Sequence, residues 1–284
     1  MNLVPRIESK LRVCARNHKT TDHAAFSLTE LLVTLATLSL LVLIVFPTLG
    51  SAKVSSRQLS CLNNLRQLGV ASHMYVLDCQ QYTGSYSPVA NAYVWQKRLL
   101  SDTGGQRGLF SCPAAIPSSR WDTNLNNTLG SAGDVYGVTS TTRFSYGIND
   151  WGLSINNNPQ LGLGGDVDGG FYHGPVRDSD VVAPSQMIML ADTPAPANAA
   201  LINFGADLDP TDQSVGHIRW PSNRHQFQAD IVFADGHTET PARPSLVDPS
   251  NTTWRRRWNN DNLTHNETTW SYNATAAAQL DSSY

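Results

Sequence analysis

The chain has 284 residues, a formal net charge of -3 and a sequence isoelectric point of about 6.2. This length allows one large domain, or one domain joined to an anchoring segment. The nearly balanced charge excludes the basic footprint of a nucleic-acid-binding protein, so we expect no nucleic-acid partner. Asn, Gly, Ser, Thr and Pro become frequent after residue 80, which is typical of a loop-rich β domain outside the cytoplasm.

An uninterrupted apolar segment near the N-terminus predicts a membrane-spanning helix. No ionisable side chain occurs from Leu31 to Ala52. At about 1.5 Å per residue this segment spans roughly 33 Å, which is enough to cross the hydrocarbon core of a bilayer. The alternative is a buried core helix, but a soluble core does not require every face of a helix to be apolar.

The segment before this helix predicts the orientation in the membrane. It carries five basic residues, Arg6, Lys10, Arg12, Arg16 and Lys19, against Glu8 and Asp22. The positive-inside rule therefore places the N-terminus in the cytoplasm and residues after about 53 on the other side. An ordinary signal peptide cleaved near Thr48–Ala52 is the alternative. The length of the basic region and a carboxylate at Glu30 argue against it.

The segment Ala25–Val33, AFSLTELLV, resembles the processing site of type IV prepilins. The resemblance implies that prepilin peptidase cuts between Ala25 and Phe26, methylates the new N-terminus and leaves the apolar helix as the mature start. Ala25 stands where the family usually has Gly. It further implies a single-pass protein of a bacterial inner membrane, with a cytoplasmic N-terminus and an extracytoplasmic head.

Glu30 and Pro47 gain specific roles from this resemblance. A carboxylate in an apolar setting is costly unless it is paired. In a filament, the amine of Phe26 in a neighbouring subunit would neutralise Glu30 and set the axial register. The alternative is a charge that reaches the membrane interface. Pro47 lies where pilin helices often carry a proline that kinks them; equally, it could end the membrane span.

The sequence after the membrane segment predicts that the helix continues, from Val54 to Asp78. Cys61, Leu65, Leu68, Ser72 and Tyr75 recur at helical spacing and form one stripe, which we expect to pack on the head. The segment Cys61–Gly69, CLNNLRQLG, resembles a subgroup of prepilin-like proteins with large β-rich heads. A second signature of that subgroup is a His followed by nine residues and Asp-Gly, which His225, Asp235 and Gly236 match. Shorter similar patches lie at Phe110–Pro113, Ser145–Asn149, Met187–Thr193 and 224–239.

The fold class predicted from these features is α+β, with a long N-terminal helix packed on a β-rich, loop-rich head. We divide the chain into a leader that is removed, 1–25, a pilin-like helix, 26–80, and an extracytoplasmic head, 81–284. Ile188–Asp192 is predicted to be a buried strand. The segment 230–240 is predicted to be a hairpin because Asp235-Gly236 is a strong turn signal.

The cysteines allow one disulfide outside the cytoplasm. The family-like context of Cys61 and Cys112 implies that these two residues pair, which would link the helix to the head. Cys79 would then be unpaired, or it would be the true partner of Cys112. Cys14 stays with the leader.

Two groups of residues invite a metal interpretation. His225, Asp235 and His237, with Asp192 as a further candidate, contain ligand types that zinc accepts, but their spacing matches no compact metal motif. Asp166 and Asp168 offer hard oxygens for calcium, without the pattern of an EF-hand. We expect structural roles for all of them, a turn cap for Asp235 and a backbone hydrogen bond for His225, and no cofactor.

The function predicted is a non-enzymatic structural subunit of a type II secretion-like or type IV pilus-like filament. Its partners would be prepilin peptidase and other pilin-like subunits, met through the N-terminal helix. Two alternatives stay open. One is a membrane-anchored module that binds extracellular polysaccharide through Trp95, Trp121, Trp151 and Trp220. The other is a metal-dependent hydrolase built on His225, Asp235 and His237.

Overall fold

The computed structural model of the chain describes residues 27–119, 121, 138, 143–154, 159–170, 173–194, 205–214 and 216–281. The chain divides into two compact units, residues 1–49 and 50–284. The first helix, α1, is assigned to Leu28–Cys79, so its second half belongs to the same unit as the head. The sequence-based division placed this boundary at residue 80 instead.

The head is built around a mixed five-stranded sheet in the order β5-β3-β4-β6-β7. Its strands are β3, Tyr146–Asn149, β4, Ile188–Asp192, β5, Asp207–Leu208, β6, Ile231–Phe233, and β7, Thr238–Glu239. Only β3 and β5 pair in parallel; the other neighbours are antiparallel. A separate two-stranded ribbon joins β1, Tyr86–Ser87, to β2, Ala92–Tyr93. Together with α1, this sheet confirms the predicted α+β class.

Short helices complete the head. Among the described residues, the α-helices are α2, Trp95–Leu99, α3, Arg243–Val247, α4, Thr252–Arg257, and α5, Ala274–Ala278, and 3-10 helices lie at Arg107–Phe110, Pro117–Ser119 and Asp178–Asp180. Asn251 caps α4 and Asn273 caps α5 through side-chain oxygens that accept backbone N–H groups.

The sheet carries apolar side chains on both faces, because strands β3 to β6 are buried throughout. Val232 of β6 packs in one cluster with Leu65 and Leu68 of α1, whereas Ile231 and Phe233 pack in a second cluster. That second cluster also holds Leu246 and Val247 of α3, Trp258 and Ala277. Helix α1 thus supplies the core on one side of the sheet, and the C-terminal helices supply it on the other.

Two predicted elements are confirmed with their residues. Strand β4 occupies the predicted Ile188–Asp192. The predicted stripe on α1 is buried at Cys61, Leu65, Leu68 and Ser72 and half-buried at Tyr75.

The predicted hairpin is also confirmed, as β6 and β7. Its turn is closed by the Gly236 N–H, which donates to the Phe233 carbonyl at 2.9 Å. Gly236 has φ +87°, a conformation that glycine adopts without strain and that most residues avoid.

Candidate functional site

The first half of α1 presents apolar side chains to the surroundings on every side. The large exposed apolar residues are Leu28, Leu31, Leu32, Val33, Leu35, Leu38, Leu40, Leu41, Val42, Leu43, Ile44, Val45 and Phe46. Within the described residues, α1 is the one helix that is long and apolar enough to cross a membrane, and its most apolar window is 0% buried. An apolar helix without a covering face is stable only in lipid or against other apolar helices.

Hydroxyl groups within this apolar segment are satisfied by the helix itself. Thr34 Oγ1 donates to the Leu31 carbonyl at 2.9 Å, and Thr37 Oγ1 donates to the Thr34 carbonyl at 2.9 Å. Ser39 Oγ donates to the Leu35 carbonyl at 2.7 Å. Because these polar groups need no outside partner, they do not prevent the segment from entering an apolar phase.

Glu30 and Ser27 form a reciprocal capping box at the start of α1. The Ser27 N–H donates to Glu30 Oε2 at 3.0 Å, and the Glu30 N–H donates to Ser27 Oγ at 3.2 Å. Both are backbone donors that a helix start would otherwise leave unpaired. This role for Glu30 was not foreseen, although the Ser-x-x-Glu spacing ahead of an apolar run is its signature.

Two further predictions concern this segment, the processing site and the role of Pro47. The processing site, Ala25 and Phe26, lies outside the described residues. Pro47 lies within the bounds of α1, so the helix does not end there.

A second candidate site is a buried cluster of Cys61, Cys112, Asp192 and His225 in the head. Four separate parts of the chain supply it. Cys61 lies on α1, Cys112 follows the 3-10 helix Arg107–Phe110, Asp192 ends β4, and His225 lies in the loop before β6. Every member is at most 1% exposed.

The polar atoms of the cluster converge on one another. Cys61 Sγ donates to Asp192 Oδ1 at 3.1 Å and also lies 3.1 Å from the Tyr146 hydroxyl. His225 Nε2 lies 3.2 Å from Cys112 Sγ and 3.1 Å from Asp192 Oδ2. One ligand atom from each of the four residues can be chosen so that all lie within 4.8 Å of one another.

Backbone hydrogen bonds hold the parts of this cluster in place. The Cys112 N–H donates to Ser145 Oγ at 2.6 Å, beside the start of β3. The Asp192 N–H donates to the Asp230 carbonyl at 3.1 Å, and the Ser222 N–H donates to the Asp192 carbonyl at 2.8 Å. The cluster is therefore fixed by the pairing of the central strands and not by the side chains alone.

The turn after His225 is strained. The Gln228 N–H donates to the His225 carbonyl at 3.0 Å, which closes a four-residue turn. Its central residues, Gln226 with φ 54° and Phe227 with φ 67°, both adopt the left-handed conformation that non-glycine residues avoid. Strain of this kind persists only where the surrounding structure imposes it, and here it fixes the backbone next to His225.

The cluster perturbs the acidity of its own members. Burial raises the pKa of Cys61 well above its usual range. Burial acts the same way on Cys112, but hydrogen bonds with Cys61 and then His225 outweigh it and lower the pKa of that thiol. Burial opposes the charge of His225 and of Asp192 alike, yet their mutual attraction raises the pKa of the imidazole and lowers that of the carboxyl. The site therefore favours the charged forms of Cys112, Asp192 and His225 in spite of their burial, and the neutral thiol of Cys61.

The structure separates the three residues of the predicted metal triad. His225 lies in the buried cluster with Asp192, as the further candidate suggested, whereas Asp235 is exposed in the hairpin turn. His237 pairs with Asp235 through its N–H at 3.1 Å and its Nδ1 at 2.5 Å, and its ring stacks on Phe233. Asp235 thus caps its turn as predicted, and the alternative metal triad is not assembled because the Asp-Gly turn directs these side chains away from His225.

Asp166 and Asp168, the candidate calcium ligands, have no third ligand residue beside them among the described residues. Asp166 is 5% exposed, and Asp168 Oδ2 accepts a hydrogen bond from Ser87 Oγ at 2.5 Å. Among the described residues, neither belongs to a group of three or more Cys, His, Asp or Glu ligands. Calcium binding at this position stays a prediction.

The predicted disulfide partners meet, but as thiols. Cys61 and Cys112 are buried free cysteines in the same cluster. Cys79, the alternative partner, is exposed at the end of α1. The two cysteines expected to pair thus lie in one cluster without a bond between them, and Asp192 and His225 lie beside them.

Most of the proposed aromatic platform belongs to the core. Trp95, Trp121 and Trp220 are at most 3% exposed, and Trp151 is half-buried. Trp95 Nε1 donates to the Ala206 carbonyl at 2.8 Å, and Trp121 stacks edge-on against Phe110. Buried rings offer no face to a sugar, so three of the four tryptophans are corrected from platform to core residues.

Sequence reasoning missed the groups that surround the cluster. Arg224 is 4% exposed, and its guanidinium lies 4.0 Å from Asp192 and donates to the Thr193 carbonyl. Asp230 Oδ2 lies 3.5 Å from His225 Nε2. Arg224 directly precedes His225, and Asp230 directly precedes the apolar strand β6, and these charged residues were the available signal. No protein-family model, curated protein or solved structure matches this chain.

Proposed function

We propose that the chain is a structural, prepilin-like subunit of a type II secretion-like or type IV pilus-like filament. The observation that carries the proposal is the first half of α1, which is apolar and exposed on all sides directly after the motif Ala25–Val33. A helix of this kind is suited to the subunit both before and after it assembles. It is stable in the bilayer after synthesis, and it is stable against identical helices in a filament.

Peptidase cleavage would convert the membrane-held subunit into the subunit that assembles. Removal of residues 1–25 takes away the basic leader, which holds the N-terminus in the cytoplasm, and creates an amine at Phe26. The new amine and Glu30 are the opposite charges that remain at the start of the helix. Their pairing between neighbouring subunits would fix the axial register, because an unpaired charge among apolar helices is costly.

The orientation and location follow from the same reasoning. The inner membrane of a bacterium would hold the helix, with the leader in the cytoplasm and the head on the outer side. The head would be displayed on the filament as a non-enzymatic module. The burial of three of the four tryptophans that a sugar platform would need to expose argues against the polysaccharide-binding alternative.

The experiment that tests this function is the intact mass of the chain purified from membranes of cells with and without prepilin peptidase. We expect loss of residues 1–25 and gain of one methyl group only where the peptidase is present. A variant with Phe26→Asp serves as the uncut reference. A chain that keeps its leader in both strains, or that is cut near Ala52, would overturn the proposal.

A further inference from the structure

The buried cluster of Cys61, Cys112, Asp192 and His225 unites four side chains of metal-ligating type. We propose that these residues bind a zinc ion in a closed site that stabilises the head. The site is separate from the exposed half of α1 and from the processing site, so it does not depend on the function proposed above.

The spacing of the ligand atoms suits one small cation. Zinc binds sulfur at about 2.3 Å and nitrogen or oxygen at about 2.0–2.2 Å, so the edges of a tetrahedral site are roughly 3.3–3.8 Å long. The contacts Cys61–Asp192, Cys112–His225 and His225–Asp192 measure 3.1, 3.2 and 3.1 Å. These three contacts need to lengthen by only a few tenths of an ångström to hold the ion, and no two of the four ligand atoms lie more than 4.8 Å apart.

The chemistry of the donors selects the metal. Two thiolates and an imidazole are poor ligands for calcium and magnesium, which prefer oxygen, and good ligands for zinc. Four protein donors fill a tetrahedral shell, and the complete burial of the residues leaves no route for a substrate. A closed shell of this kind is typical of a structural zinc site, whereas a catalytic site keeps one position open.

A charged metal centre in the core requires an opposite charge nearby, and Arg224 provides it. Two thiolates and one carboxylate on a divalent ion leave a net negative charge, and the buried Arg224 guanidinium 4.0 Å from Asp192 neutralises it. The nearest polar partner of the buried Asp192 Oδ2 is His225 Nε2 at 3.1 Å, and that single nitrogen also faces Cys112 Sγ and Asp230 Oδ2, so one proton cannot satisfy all three acceptors. A bound cation would satisfy this oxygen, because a buried carboxylate oxygen without a partner is costly.

A disulfide between Cys61 and Cys112 explains the site less well. Its formation would remove the Cys61 thiol that donates to Asp192 Oδ1. The carboxylate and His225 would then remain buried with fewer partners, at a cost of about 1–3 kcal/mol for each group left unsatisfied. A metal uses all four side chains, and its binding releases the thiol protons to solvent.

A zinc ion here would cross-link four separate parts of the head. It would fasten the second half of α1, through Cys61, to the end of β4, to the loop before β6 and to the segment after the 3-10 helix Arg107–Phe110. Binding energy gained only in the folded state adds directly to stability.

The test is the metal content of the full chain, purified in detergent without chelators or reductants. We expect about one zinc ion per chain for the wild type. Cys112→Ser and Asp192→Asn should each lower zinc affinity by at least about tenfold. The matched controls are Cys79→Ser, an exposed cysteine, and Asp180→Asn, an exposed carboxylate, which should keep the full zinc content.

A second measurement does not depend on how the variants fold. The wild-type chain is stripped with a chelator and titrated with cobalt(II), which should give the thiolate charge-transfer and tetrahedral absorption bands and should compete with zinc for one site. Absence of both stoichiometric zinc and a cobalt spectrum would overturn the proposal. A peptide map that shows Cys61 disulfide-bonded to Cys112 in the purified wild type would overturn it as well.

Discussion

Gly69 of α1 lies directly against Gly236 of the hairpin turn: a Cβ atom built on Gly69 would lie 3.2 Å from Gly236 Cα and 3.1 Å from Val232 Cγ2. The two glycines belong to the two sequence segments that suggested the family resemblance. The close approach explains why position 69 has no side chain, whereas glycine is favoured at position 236 by its φ of +87°. It also gives the Asp-Gly motif a structural role, as the turn on which α1 rests.

Substitution of Gly69 tests this contact. Alanine normally stabilises a helix interior by about 1 kcal/mol relative to glycine. Here we expect Gly69→Ala to lower the free energy of unfolding, because the added methyl group meets the Gly236 backbone, which has little freedom to move. Chemical denaturation of the full chain in detergent measures the change. Gly108→Ala, where nothing lies within 4 Å of the new methyl group, is the tolerated control.

Arg255 organises the C-terminal segment through its guanidinium. It is 4% exposed and donates to the carbonyls of Pro249, Thr264, His265 and Thr268. A lysine cannot present this planar set of donors, so Arg255→Lys should lower the free energy of unfolding by roughly 2–4 kcal/mol. The exposed neighbour Arg256 provides the control, and Arg256→Lys should change stability by less than about 0.5 kcal/mol. Equal effects of the two substitutions would contradict this role.

The parts of the structure that the sequence predicted depend on local patterns. The stripe through Cys61, Leu65 and Leu68 follows helical periodicity, and β4 is a short apolar run, so each could be identified without knowledge of its partners. The buried cluster could not be assembled in this way. Asp192 reaches Cys61 because β4 lies in the centre of the sheet, and that position depends on long-range strand pairing.

The separation of His225 from Asp235 and His237, the alternative metal triad, has the same origin. His225 and Asp235 occur in one sequence signature, which suggested one site. The strained turn after His225 and the hairpin turn at Asp235 instead send the two side chains to different environments, one buried and one exposed. The parallel pairing of β3 with the two-residue β5 likewise has no local signal in the sequence.

The buried Asp150 makes the stability of the head depend on pH. Burial raises the pKa of this carboxyl to about 7, although Ser85 Oγ and the Gly165 N–H donate to it, and the charge of Asp207 adds to the rise. The folded state therefore binds the proton more tightly than the unfolded state. The stabilisation is complete below about pH 4 and is lost as the pH rises through about 7.

Asp150→Asn should flatten this dependence, because an amide keeps the acceptor oxygen and does not ionise. The measurement is chemical denaturation of the full chain at several values between about pH 5 and pH 8. Asp180→Asn, at an exposed carboxylate, should keep the wild-type slope. A slope that is unchanged in Asp150→Asn would show that other groups control the pH dependence.

Two matched substitutions separate the two roles proposed for Glu30, helix capping and charge pairing with a neighbouring subunit. Glutamine also completes a capping box, so Glu30→Gln keeps the helix start and removes only the charge. Ser27→Ala does the reverse, because it removes the hydroxyl that accepts the Glu30 N–H and keeps the charge. If the carboxylate pairs with the Phe26 amine of a neighbouring subunit, Glu30→Gln should abolish filaments in a sedimentation assay, whereas Ser27→Ala should still assemble. Normal filaments from Glu30→Gln, with impaired filaments from Ser27→Ala, would assign Glu30 to helix capping and remove its role in setting the register.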